Sequence, residues 1–102
     1  MNTYSLSELA VEDLNNICEF IAQNSVKSAS KLFDAIRQKC KLVAGFPNMG
    51  KSYELLANDL RGFFVDDYII FYYPRQDGID VVRIAYGKRD LESLFEEIDE
   101  TS

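Results

Sequence analysis

Arg61, Arg83, Lys88 and Arg89 are the residues of this chain whose type and placement most invite chemistry. The last three fall in one stretch, "RIAYGKRDLESLF", where a β-branched run ends at Gly87, presents Lys88 and Arg89, and passes into an amphipathic segment. Two adjacent cations at such an exit can clamp RNA for cleavage, contact a protein partner, or solvate a turn. The tyrosines Tyr68, Tyr72, Tyr73 and Tyr86 lie in the same region. A ring beside a guanidinium suits both protein and nucleic-acid contacts.

Other chemistries find less support. The chain has no histidine, so an acid or base working near neutral pH must be a shifted carboxylate, lysine, tyrosine or cysteine. "NMGKS" ends like a phosphate loop but lacks its first glycine and does not follow a strand, so Lys51 reads as a loop cation. The pairs Asp66-Asp67 and Glu96-Glu97 read as a turn and a solvated helix face. Cys18 and Cys40 sit inside helix-like patterns and read as small buried apolar residues. Two thiols without histidine do not complete a zinc shell, so neither a metal nor a cofactor is expected.

The cations must be placed by a single domain spanning residues 1–102, because that length and 47% hydrophobic residues suit one packed core. No apolar run approaches a membrane span, and "MNTYSLSELAVEDL" lacks the basic and apolar regions of a secretory signal. A cytoplasmic location, with no membrane partner, is expected. The net charge of −6 disfavours a protein that coats nucleic acid unaided. That charge is uneven: Arg37, Lys39, Lys41, Lys51 and Arg61 face only Glu54 and Asp59 between residues 37 and 61, whereas five acids and no base lie between Glu92 and Glu100. A local cationic surface can persist on such a protein.

"TYSLS" predicts a short strand, and Ser7 predicts the cap of a helix with its stripe at Leu9/Ala10, Leu14, Ile17/Cys18 and Ile21. A second helix is predicted over Val26–Ala44, with Gly45 as its C-cap and Pro47 as its stop. The short break at Asn24-Ser25 makes the two an antiparallel hairpin, whose outer face keeps apolar residues such as Phe20. "PNMGKSYELLAND" reads as a loop. Then come three strand-like runs, "LRGFFV", "YIIFYYP" and "IDVVRIAY", turned at Asp66-Asp67 and Asp77-Gly78. Leu91, Leu94/Phe95 and Ile98 mark a short last helix, and "DETS" is expected to fray. The fold class is α+β: an N-terminal helical hairpin packed on a small, mostly antiparallel sheet, with a short C-terminal helix. Alternation puts Arg83 opposite Val82 and Ile84, pointing outward on an exposed sheet face.

An ordered set of residues resembles the ParE/RelE superfamily of type II toxin–antitoxin toxins, nearer its ParE branch. The set runs from "SELAVEDLNNICEFIA" through Pro47-x-x-Gly50, Leu60-Arg61, Tyr68 to Tyr72, Asp77-Gly78 and Arg83 to Gly87-x-Arg89-Asp90, over nearly the whole chain. The resemblance implies that fold and two mechanisms. RelE-like members cut messenger RNA on the ribosome with lysines, arginines and a tyrosine, whereas ParE-like members bind DNA gyrase and trap it in a DNA-cleaving state.

Position by position, the RelE arginine of the glycine-lysine-arginine turn is matched by Arg89. The tyrosine six residues on falls on Phe95, the arginine after the strand-opening tyrosine falls on Ile69, and "GFFVDD" offers none of the paired lysines. Each missing acid/base group is worth about 10²–10⁴ in rate, so gyrase binding is the expectation. Tyr86 stands where many ParE members carry histidine. Lys88, Arg89, Arg83, Tyr86 and Phe95 are then the expected target-binding residues. Ribosome-dependent cleavage by Arg61, Arg83 and Arg89 is the alternative, with ribosome and mRNA as partners; a toxin that now only partners its antitoxin is a third. The resemblance further implies an antitoxin whose C-terminal segment buries apolar residues of the hairpin, Phe20 among them, and covers Arg61, Arg83 and Arg89.

Overall fold

The computed structural model describes residues 2–100, and the side chains of residues 2–95. Its elements are β1 (Thr3–Leu6), α1 (Glu8–Ala22), α2 (Val26–Gly45), β2 (Lys51–Ser52), β3 (Arg61–Val65), β4 (Tyr68–Arg75), β5 (Gly78–Tyr86) and α3 (Leu91–Glu100). They follow the predicted order with one addition, the two-residue strand β2 inside the expected loop. The strands form one sheet in the order β1-β5-β4-β3-β2, antiparallel except for the β1–β5 pair. The expectations for Glu96, Glu97, Ile98 and the frayed end fall outside the described side chains.

Local chemistry sets the ends of these elements. The hydroxyl oxygen of Ser7 accepts from Ala10 N at 3.1 Å and donates to Val82 O at 2.9 Å, so one side chain caps α1 and ties it to β5. Ser25 caps α2 in the same way, accepting from Ser28 N. Gly45 is the last residue of α2 rather than its cap; Phe46 takes that place at φ −139° and ψ 70°, so no left-handed residue is needed there. Asp66 supplies the positive φ, 53°, of the tight β3–β4 turn, a conformation aspartate tolerates. The second turn is Gln76-Asp77, since Arg75 already pairs with Gly78. Gly78 is indispensable there: its φ is +149°, and a Cβ would lie 1.7 Å from Thr3 O.

Both faces of the sheet are buried. On one, α1 and α2 pack Leu14, Leu32, Ile36, Cys40 and Val43 against Phe63, Ile70, Tyr72, Ile79, Val81 and Ile84. On the other, Leu60, Ile69, Phe71 and Ala85 meet Leu94 and Phe95 of α3, with Tyr53 and Leu56 from the 53–60 segment packed alongside. This overturns the expected exposed cationic face, because Tyr53, Leu56 and Ala57 of "SYELLA" fold over it together with Leu94 and Phe95. Cys40 is buried and Cys18 half-buried, both as free thiols.

The register of β5 also departs from simple alternation. Phe71 pairs with Arg83 and Tyr72 with Val81, which leaves Val82 as an extra residue, a β-bulge. Past the bulge the faces shift by one. Ile79, Val81 and Ile84 all join the helix-side core, while Val82 and Ala85 pack on the opposite side.

Candidate functional site

Arg83 stands directly after that bulge, and its guanidinium turns to α1 rather than to solvent. It is 5% exposed, and its guanidinium grips Asp13 through Nε to Oδ2 at 2.8 Å and Nη2 to Oδ1 at 3.1 Å. The same carboxylate accepts the backbone N–H of Ile84 at 2.9 Å. Asp13 therefore holds the bulge from the helix side, three residues before the strand ends.

Arg61 is likewise engaged. It donates to Asn48 O at 3.0 Å and to Gly50 O at 2.6 Å, pinning the segment between α2 and β2. Beside it the Tyr72 hydroxyl donates to Pro47 O at 2.7 Å and accepts from Gly50 N at 3.0 Å. Burial raises the Tyr72 pKa, only partly offset by the Gly50 hydrogen bond and Arg61. Tyr72→Phe removes both bonds and strands a buried N–H, so it lowers the unfolding free energy by about 1–3 kcal/mol, read as a reduced urea midpoint.

Phe95, expected among the target-binding residues, is 1% exposed. Its ring stands edge-on to Phe71 at a centroid distance of 4.8 Å, fastening α3 to the sheet.

Lys88, Arg89 and Tyr86 do stand together at an accessible corner. The turn is braced twice: Gly87 N donates to Asp67 O at 2.8 Å, and Arg89 N to Tyr86 O at 3.0 Å. Tyr86 packs edge-on against Tyr68 at 5.9 Å. With Asp13, Asn16 and Ile17 of α1, the two tyrosines and Arg89 line a shallow cavity of about 220 Å³. Tyr68 has a raised pKa, chiefly from burial, then from Tyr86, Asp67 and Cys18. That phenol stays protonated at neutral pH.

The expected antitoxin residues are dispersed. Arg61 pairs with Tyr72 and the corner adjoins Tyr68, roughly 13 Å apart along β4 at strand spacing. Phe20 is exposed on the helical hairpin. A groove of about 450 Å³ runs between α1 and α2, lined by Cys18, Ala22, Val26, Ala29 and Phe33 among others. Val26 and Phe33 are exposed apolar residues of α2; sequence put Phe33 beside Leu32 on the packed face of that helix and gave Val26 no role beyond starting it. Asp13 was missed; a carboxylate next to Leu14 in the α1 stripe was its signal.

Among the described residues no helix is long and apolar enough to cross a membrane, and no cluster of ligating side chains is suited to a metal ion. The family model described as "ParE toxin of type II toxin-antitoxin system, parDE" matches residues 4–91. Among solved structures, one titled "Chromosomal ParDE TA system from P. aeruginosa" superposes with a TM-score of 0.69 at 17% identity, covering 84% of this chain and 96% of that one. At that identity the likeness is one of fold. No curated protein matches the sequence.

Proposed function

The chain belongs to the ParE family of toxins from type II toxin–antitoxin systems, and from that premise we propose that it arrests growth in the cytoplasm by binding DNA gyrase through the Tyr86–Lys88–Arg89 corner. One observation carries this reading: of the arginines that cleavage would recruit, Arg61 and Arg83 are engaged in holding the fold, which leaves Arg89 alone at an open corner. Arg83 is paired with Asp13, the Tyr72 hydroxyl is bonded on both sides, and Phe95 lies in the core. Lys88, Arg89 and Tyr86 keep exposed surface. Arg83 and Phe95 then serve the contact from behind, one holding the strand and the other holding α3.

The antitoxin's C-terminal segment fits the α1–α2 groove, burying Val26 and Phe33 with Phe20 beside them. Asn16 and Ile17 line the corner cavity while Cys18 and Glu19 line the groove. A segment lying along α1 therefore reaches both, and an acidic residue on it would meet Arg89. Such coupled folding of a disordered tail is a familiar binding mode.

Removing both exposed charges, Lys88→Ala with Arg89→Ala, is expected to raise survival on induction about 10-fold or more while the melting temperature stays unchanged. Full growth arrest by that double variant would overturn the assignment of the corner. The cleavage alternative has one observation in its favour, the grouping of Tyr68, Tyr86 and Arg89 on one cavity. Codon-phased cuts in messages after induction would be its signature.

A further inference from the structure

We propose that Asp13 is a positioning residue for target binding: from α1 it fixes the β5 bulge and thereby aims the Tyr86–Lys88–Arg89 corner. The inference rests on the gyrase-contact reading above and deepens it.

The bulge gives Asp13 its work. An extra residue at Val82 breaks the ladder, and a slip there by one residue would return every side chain beyond it to the other face. The Ile84 N–H would turn away from Asp13, and Tyr86 would leave Tyr68. The carboxylate opposes that slip with both oxygens: Oδ2 takes the Ile84 N–H and Arg83 Nε, and Oδ1 takes Arg83 Nη2. Helix α1 cannot shift to accommodate a slip, because Ser7 fastens its start to Val82 O on the bulge itself. Asp13 thus joins strand and helix where the strand's exit direction is decided. It also forms part of the wall of the cavity whose rim carries Tyr86 and Arg89.

A buried ion pair usually invites a simpler account, that it only stabilises the fold. The two roles separate in the variant Asp13→Leu/Arg83→Met. Replacing a buried pair by apolar residues of similar volume commonly leaves global stability unchanged or raised, yet it removes the acceptor of the Ile84 N–H. A second variant, Asp13→Asn/Arg83→Gln, is neutral but keeps that acceptor and an amide–amide contact. Ser25→Ala, which loses the α2 cap far from the corner, serves as the control for plain destabilisation.

The experiment is native-state hydrogen exchange of the full chain, read at the Ile84, Gly87 and Arg89 amides, beside melting and gyrase supercoiling. The apolar double variant is expected to melt no lower than the wild type, while its Gly87 and Arg89 amides exchange about 10-fold faster or more and the concentration needed to inhibit gyrase rises similarly. The neutral pair is expected to keep wild-type exchange at all three amides, and Ser25→Ala to show no loss confined to the corner. Unchanged Gly87 and Arg89 protection in the apolar variant overturns the inference; so does equal loosening in Ser25→Ala. If the apolar variant fails to fold, loosening of the corner in folded Asp13→Asn/Arg83→Gln takes its place as the contradicting result. A wild-type chain without effect on gyrase, but with the predicted exchange pattern, refutes the choice of target and leaves Asp13's positioning of the corner standing.

Discussion

Arg83→Ala lowers the free energy of unfolding by about 3–5 kcal/mol, whereas Arg75→Ala lowers it by no more than about 1 kcal/mol. Counting partners gives the reverse order. Arg75 bonds to Asp77, Asp80, Thr3 and Ser5, holding the outer ends of β1, β4 and β5 together. What decides is solvent. The Arg75 side chain is 29% exposed and its carboxylate partners more so, at 71% and 48%. Water competes for each of those bonds, and salt screens them. The Arg83 and Asp13 side chains are 7% and 13% exposed, so removing one leaves the other charge without its counter-charge in a poorly hydrated place. For a domain whose whole stability is about 5–15 kcal/mol, the Arg83 loss brings the unfolded state within reach at growth temperature. Urea titration of both variants checks the order. Equal midpoints for the two would mean that the Asp13 site is far wetter than its burial indicates.

Alkaline pH supplies a second large effect. Burial in the helix-side core pushes the Cys40 thiol from 9.0 up to about 12. The folded value is raised, so its stabilising contribution is full below pH 9 and is lost as the pH climbs toward 12. At about 1.4 kcal/mol per pH unit, the loss reaches about 4 kcal/mol across that window. Cys40→Ala removes the thiol and leaves a small cavity, a cost of about 1 kcal/mol at neutral pH. The stability curves of the two chains therefore cross: wild type is more stable at pH 7, and the variant is more stable above about pH 10. Tyrosine titration is common to both and cancels in the difference. Parallel curves up to pH 11 would show that Cys40 ionises as readily in the folded chain as in the unfolded one.

The fold was legible where local chemistry and pattern agree. Ser7 caps α1, the stripe of that helix puts Ala10 and Leu14 in the core, and Asp66-Asp67 turns the first hairpin. The burial of Arg83 was not legible: alternation sets it opposite Ile84, in agreement with its pairing to Phe71, but nothing local shows that its guanidinium turns to α1. Its partner Asp13 lies 70 residues earlier in sequence, beyond any local pattern. What Phe95 packs against was hidden for a related reason. The second apolar layer comes from "SYELLA", which reads as loop and gains its burial only when laid across the sheet. Of the candidate site, the pair Lys88-Arg89 and Tyr86 were identified by type and by the glycine between them; the cavity wall contributed by α1 needed the tertiary structure.

The central claim is that this ParE-family chain works by binding gyrase and not by cutting RNA. The most direct measurement is a plasmid supercoiling reaction with purified gyrase and purified chain, read for trapped linear DNA. The account predicts accumulation of cleaved plasmid with the wild type, loss of it with Lys88→Ala/Arg89→Ala, and recovery of supercoiling when the cognate antitoxin is added. Undisturbed supercoiling by a folded chain that still arrests growth, with messages cut in phase with codons, would contradict it.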